Sequence, residues 1–290
     1  MRTVKRSHPA YRDDIADLIT RRPIPGPEID QIDPFLFLNH HGRMVYKPGN
    51  NGLPFGPHPH RGFETVTFIL EGSLAHHDTG GHESVIEAGG VQWMTAGSGL
   101  IHSEISPPSF KRTGGALEIL QLWVNLPSHL KMSPPRYSGV QKKQIPHLSL
   151  AGGKGSLELI AGEFSGVHGP ITSLTGVFMS VVRLSAGAKV TISAPCTRSV
   201  FLYVIGGRVA VSGKTVGQWH LVEMNSDGDE IEIEASASTV LLFGHATPIN
   251  ESVVAQGPFV MNSKEEIRQA FADYKAGKFN GANKLLEIGD

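Results

Sequence analysis

A chain of 290 residues with 26 basic against 27 acidic side chains has a net charge of −1, which offers no electrostatic footprint for direct nucleic-acid binding or for an anionic membrane. Its single cysteine, Cys196, excludes an intramolecular disulfide framework and a multi-cysteine zinc site. No run of about 20 apolar residues exists, and the first thirty residues lack a continuous apolar segment, so the expectation is a cytoplasmic protein of about two domains with no signal peptide and no membrane span.

Short runs rich in Val, Ile, Thr and aromatics, parted by Gly, Pro, Asn and Asp, recur between residues 35 and 245. In chain order, ETVTFIL (64–70), LEILQLWVNL (117–126), GVFMSVVRL (176–184), SVFLYVI (199–205) and STVLLFG (238–244) predict strands. Strands at this spacing predict an all-β fold of sandwich or barrel type, and 34 glycines with 19 prolines suit its turns. The segment NLPSHLKMSPPRYSGV (125–140), with Pro127, Pro134 and Pro135, marks the boundary and divides the chain into domains 1–130 and 131–290. The halves are alike: VTFILEGSLA (66–75) aligns with FLYVIGGRVA (201–210) at an offset of 135, and GGVQW (89–93) resembles VGQW (216–219). Each half reads as an apolar strand, a glycine turn and a returning strand, which suggests a duplicated β-barrel. Helix signals concentrate at the end. Ser263 and Glu266 form a capping box, and Ile267, Ala270, Phe271 and Tyr274 precede Gly277. The pattern predicts a helix over about 263–276, docked through Ile267, Phe271 and Tyr274 because so few apolar positions cannot hold it alone.

Fourteen histidines are present, and several cluster in the first half. His58 and His60 stand two apart beside a strand, and a strand points residues i and i+2 to one face. His102 and Glu104 repeat the spacing after the glycine-rich AGSG turn. Two neighbouring strands that each show such a pair to a barrel interior place three imidazoles and one carboxylate around a point. That set suits a divalent first-row metal and leaves open positions for a reactant, with iron, copper, nickel, manganese and zinc all admissible. At the offset of 135, His58 and His60 fall on Ser193 and Pro195, so the second half lacks the pair. Glu64, one residue off the face, reads as a hydrogen-bonded structural group. His76, His77 and His82 read as solvated residues of a polar turn, Trp93 and Trp123 as core aromatics, and His40 and His41 as packing or rim residues.

The stretches DPFLFLNH (33–40), HPHRGFETVT (58–67), EGSLAHHDTGGH (71–82), QWMTAGSGLIHSE (92–104), LQLWVNLP (120–127) and GPFVMN (257–262) resemble the pirin family, two-domain members of the cupin superfamily. The resemblance implies two cupin-type β-barrels (double-stranded β-helices) with a C-terminal α-helix, and one metal per chain in the first barrel. Carried over residue by residue, the ligands it implies are His58, His60, His102 and Glu104, and iron is the metal it favours. It also implies quercetin 2,3-dioxygenase-type activity on a small aromatic, flavonol-like substrate, with Glu104 as catalytic base. The alternative it implies is an iron-dependent, redox-sensing regulator that binds protein partners, either transcription factors or metabolic enzymes. One departure from the wider cupin pattern concerns the glutamate expected after the histidine pair with four residues between: Thr65 stands at that position and Glu64 one residue early.

Overall fold

The computed structural model describes residues 1–279. Nearly all regular structure is β, and each predicted run is a strand: Phe63–Glu71, Gly115–Asn125, Phe178–Leu184, Ser199–Gly206 and Thr239–Ala246. They belong to two compact units of the cupin type, each built from a larger sheet and a four-stranded one.

The first-barrel unit comprises, among the described residues, Asp13–Thr20, Leu38–Lys142 and residues 249–279. In its larger, seven-stranded sheet Arg136–Val140, Val91–Thr95, Phe63–Glu71, Gly115–Asn125 and Phe35–Tyr46 are consecutive neighbours in that order. Its four-stranded sheet runs Phe55–His60, Leu100–Ile105, Ser73–Asp78 and Glu83–Glu87. The second-barrel unit comprises Met1–Arg12, Arg21–Phe37 and Lys143–Pro248. Its four-stranded sheet repeats the order of the first: Lys189–Ser193, Glu230–Ala235, Arg208–Val211, Lys214–Gly217. These units are not the consecutive segments 1–130 and 131–290. The N-terminal strand Val4–Pro9 pairs with His220–Met224 in the second barrel, while Arg136–Val140 and the C-terminal helix go with the first. The proline-rich stretch around residue 130 is therefore interior to one unit, and its Lys131 is buried there.

The repeat seen in the sequence is real in the backbone. Gly72 and Gly207, 135 apart, each turn the chain between a long strand and its return with φ of 85° and 91°. A side chain there would suffer both from that φ and from a carbonyl: a Cβ on Gly72 would lie 2.9 Å from the Ala116 oxygen, and one on Gly207 2.3 Å from the Ser238 oxygen. The second match is not structural. Trp93 lies buried within Val91–Thr95, whereas Trp219 occupies a turn with φ of 62°, and the cross-strand partner of Phe201 that answers Trp93 is Glu223.

Strand alternation fills the second barrel with an unbroken apolar cluster that includes Val182, Ile192, Leu202, Ile231, Ile233 and Phe243. The first barrel is divided. Ile69, Leu74, Ile86, Leu117 and Ile119 pack one end of it, and the inward positions that continue those strands are Thr67 and Gln121. The polar end holds the site described below.

The C-terminal helix spans Lys264–Lys275, with Ser263 as N-cap. The Ser263 hydroxyl accepts from the Glu266 amide at 3.2 Å, and the Glu266 carboxylate accepts from the Asn262 amide at 2.9 Å, so the capping box satisfies donors at the helix start. Ile267 and Ala270 are buried against Ile101, Phe259, Met261 and Phe279, with Phe271 packed alongside. Tyr274 is exposed, contrary to the expectation from helix periodicity; Asp273, which is polar, takes a buried position on the helix in its place.

Candidate metal centre

Phe55–His60 pairs antiparallel with Leu100–Ile105, and the register sets His58 opposite His102 and His60 opposite Leu100. Alternation then brings His58, His60 and His102 to one inward face. Their ring centroids are 4.8 Å (His58–His60), 4.4 Å (His58–His102) and 5.0 Å (His60–His102) apart, and one nitrogen of each lies within 4.8 Å of the others. His60 and His102 are buried and His58 is half-buried.

Hydrogen bonding fixes which nitrogens are available. His58 Nδ1 lies 2.8 Å from the Gly56 carbonyl and His60 Nδ1 lies 3.3 Å from the Pro258 carbonyl. A carbonyl only accepts, so each Nδ1 carries the proton and each Nε2 keeps its lone pair. His60 Nε2 and both ring nitrogens of His102 have no hydrogen-bond partner among the described residues. Burial, reinforced by the charge of His58, pushes His60 down to about 3. Burial, with His58, His60 and His76 next, pushes His102 well below the ordinary histidine range. His60 and His102, held neutral by burial and with unmet ring nitrogens, stand beside His58 with one nitrogen of each ring close to the others, and neutral imidazole is the ligand form that a divalent metal requires, so these residues fit a metal site.

Glu104 reaches the same interior from the same strand, but outside the three-histidine cluster. Its Oε1 accepts from Thr67 Oγ1 at 2.7 Å and its Oε2 from Gln121 Nε2 at 2.5 Å. Glu64 points to the other face of its strand. It accepts from Thr95 Oγ1 at 2.7 Å across the Glu64–Thr95 pair, and burial raises its carboxyl above the usual range. The reading of Glu64 from strand parity agrees with this placement.

Two family models match the chain: Pirin over residues 17–124, and the Pirin C-terminal cupin domain over residues 179–280. The chain belongs to the pirin family. It is 39% identical over 264 residues to a pirin-like protein of Solanum lycopersicum, covering 90% of this chain and 86% of that one. Among solved structures it is similar to a quercetin 2,3-dioxygenase from Acinetobacter baumannii, with 33% identity, a TM-score of 0.91 and coverage of 96% of this chain and 98% of that one. A bacterial pirin from Escherichia coli, solved in complex with nickel(II), shares the fold at 21% identity and a TM-score of 0.66, over 84% of this chain and 99% of that one.

Two of the histidines that the sequence places in a polar turn lie instead on the strand Ser73–Asp78, His77 half-buried there and His76 fully so. His76 is not solvated but buried, inward on Ser73–Asp78 and directly across from Glu104. Its Nε2 lies 2.9 Å from Asp78 Oδ2, its ring stacks on Tyr137 at 4.1 Å, and it stands 5.4 Å from the His102 ring. Asp78 also accepts from the Gly80 and His82 amides at 2.8 and 3.2 Å, and it is this turn that makes HHDTGGH look like a loop. The signal was present: Leu74, His76 and Asp78 follow the same two-residue period that found His58 and His60. His82 is solvated as expected. Trp123 is half-buried and lines the site, 5.4 Å from His60 and 4.4 Å from Phe63, while Trp93 is a core aromatic. His40 and His41 pack against Glu118 and Thr20, at 2.9 and 2.8 Å.

Proposed function

We propose that this pirin is a metal-dependent dioxygenase of the quercetin 2,3-dioxygenase type, acting on a flavonol-like hydroxylated aromatic. The observation that carries the reading is the convergence of His58, His60 and His102, with the ring nitrogens of buried His60 and His102 left unmet, beside a carboxylate that is held in place. His58, His60 and His102 hold the metal. Glu104 joins them as fourth ligand, because each carboxylate oxygen has a second lone pair and need not release Thr67 or Gln121. Iron is the metal we favour, since a mixed imidazole–carboxylate set with open positions suits oxygen chemistry. A bound metal supplies Lewis acidity and a template for two reactants.

The chain's own residues do the rest. Glu104 takes the proton of the substrate hydroxyl, which leaves the ring electron-rich; Thr67 and Gln121 keep the carboxylate aimed while it does so. The half-buried Trp123 ring beside His60, backed by the fully buried Phe63, offers an apolar surface to an aromatic ring. The test is dioxygen uptake with quercetin by protein loaded in turn with iron, copper, nickel, manganese or zinc. Turnover with at least one metal is expected, lost in His58→Ala and reduced at least 100-fold in Glu104→Gln, which keeps a coordinating oxygen but no base. Turnover that survives Glu104→Gln leaves Glu104 a ligand only. Absence of turnover with all five metals overturns the enzyme reading in favour of the regulatory one.

A further inference from the structure

Residues 258–279 lie against the strands that carry the histidines, and they do so through the immediate neighbours of the metal-site residues. The Pro258 carbonyl is the group that holds the His60 Nδ1 proton. One residue on, Arg61 donates from Nη1 to Asp273 Oδ2 of the helix at 2.8 Å and from Nε to the Ser98 carbonyl at 2.8 Å, and its guanidinium lies 4.6 Å from the Phe279 ring. The Val260 amide returns a bond to the Arg61 carbonyl at 3.1 Å. Lys131, buried, binds the Gly62 carbonyl (2.9 Å), the Val260 carbonyl (3.1 Å) and Asn125 Oδ1 (2.6 Å) through one ammonium group. On the neighbouring strand Ile101, which precedes His102, packs against Phe259, Met261, Ile267, Ala270 and Phe279. Alternation points Ile101 away from the barrel interior, so the arm covers the back of the strand whose front carries His102.

We propose that residues 258–279 form a latch for the metal centre, with Asp273 and Lys131 as positioning residues that set how long the metal is retained. The inference rests on the metal reading of the His58–His60–His102 cluster. The physical link is His60. Its proton on Nδ1 is what leaves Nε2 free to ligate, and the acceptor of that proton belongs to the arm rather than to either histidine strand. The arm in turn is pinned at Arg61 by Asp273. That carboxylate is held well below the usual range by Arg61 and then by Lys278, and its other oxygen accepts from Gln269 and Lys278 at 2.8 and 2.9 Å. Removing the Asp273 charge leaves Arg61 buried without its ion pair, loosens the arm and frees the His60 ring to turn. By linkage the coupling runs both ways: a bound metal tightens the docking of the arm.

The test uses the full chain loaded with zinc(II), which binds without redox change. A chromogenic chelator then reads the rate of zinc release. Asp273→Asn is expected to release zinc at least about 10-fold faster than the parent, within the usual effect of removing a group that orients a metal ligand. Arg268→Ala, which breaks an exposed pair with Glu265 on the same helix, is expected to release it at the parent rate. Equal release rates for Asp273→Asn and the parent overturn the latch. A second measurement needs no variant: hydrogen exchange of the parent with and without zinc. Added protection across 259–275 supports the coupling, and protection confined to 55–60 and 100–105 overturns it. Failure of the parent to take up zinc at all overturns the metal reading and the latch together, which separates that failure from a latch that is merely absent.

Discussion

The two barrels use one ladder to opposite ends. In the first, His58 pairs with His102 across the four-stranded sheet and Glu104 pairs with His76. In the second, Ile192 pairs with Ile231 and Val211 with Ile233, and Ala194 bonds through its amide to the Asp229 carbonyl where His60 stands in the first. The four site positions thus read His58, His60, His102 and Glu104 in one barrel and Ile192, Ala194, Ile231 and Ile233 in the other, the latter four all fully buried. Each buried Ile stabilises its barrel by about 1.5–3 kcal/mol, and each buried unpartnered polar group costs about 1–3 kcal/mol. The first barrel forgoes the former and bears the latter at His60 and His102. The fold does not need a polar interior; this barrel keeps one at the expense of its own stability, as a functional site does.

The largest test of that contrast is metal content. Wild-type protein is expected to hold one metal per chain and His102→Ala none, by elemental analysis of gel-filtered protein. Two metals per wild-type chain would place one in the apolar barrel and break the comparison.

Swapping the paired positions comes next. Ile231→His buries an imidazole among aliphatic side chains and should destabilise by about 3–5 kcal/mol, the lost apolar burial plus an unmet polar group. The reverse change, His102→Ile, should stabilise the metal-free protein by about 1–2 kcal/mol. Urea denaturation of metal-stripped protein reads both. Destabilisation by His102→Ile would mean that the histidine is satisfied without metal.

A pH series sharpens the comparison from the other side, because each barrel hides a neutral histidine. His245 of the second barrel stacks on Phe178 at 4.6 Å and, like His60, is pushed down to about 3, by burial first and then by Arg198. A folded-state value below the unfolded one means that the unfolded chain binds more protons in between. Stability contributed by these groups is therefore complete above about 6.5 and is lost as pH falls toward about 3. His245→Phe keeps the stack and removes one such group, so the loss between pH 7 and 4.5 should shrink by about 2 kcal/mol in metal-free protein. An unchanged acid slope would show that His245 does not titrate with unfolding.

The smallest effect concerns the outward carboxylates of GDEIEIEASA. Glu232, half-buried, pairs at 3.0 Å with the exposed Lys189. Glu232→Gln should shift stability by no more than about 0.5 kcal/mol and leave metal content unchanged. A fall in metal content would show that acidic residues of the second barrel take part in binding after all.

Much of this was legible because a strand has a strict period of two. That period alone brought His58 and His60 to one face and sent Glu64 to the other. The same period passed through His76 and Asp78, but the Asx turn after Asp78 gave the stretch the composition of a loop and hid it. Sequence alignment at a fixed offset failed by one residue at the site positions. Ala194 is separated from Arg198 by one more residue than His60 from Phe63, so His58 and His60 answer to Ile192 and Ala194 rather than to Ser193 and Pro195. The contributions of Thr67, Gln121 and Pro258 were not legible at all, since they depend on contacts between segments far apart in the chain. Membership of the C-terminal helix was lost for the same reason: adjacency in sequence assigned it to the second domain, and packing on Phe259 and Ile101 assigns it to the first.

The carbonyl that orients His60 lies 198 residues later in the chain. At a synthesis rate of about 5–20 residues per second, roughly 10–40 s separate the two on the ribosome. The first barrel is therefore begun early and finished late: its strands can pair while the second barrel is still being made, but Pro258, Val260 and Asp273 reach their places only after the whole of that barrel has been translated. Order of manufacture thus delays a fully oriented histidine set until residue 258 and the helix after it have been translated, and a ribosome stalled before residue 258 would carry a nascent chain with His58, His60 and His102 but without the acceptor that sets the tautomer of His60.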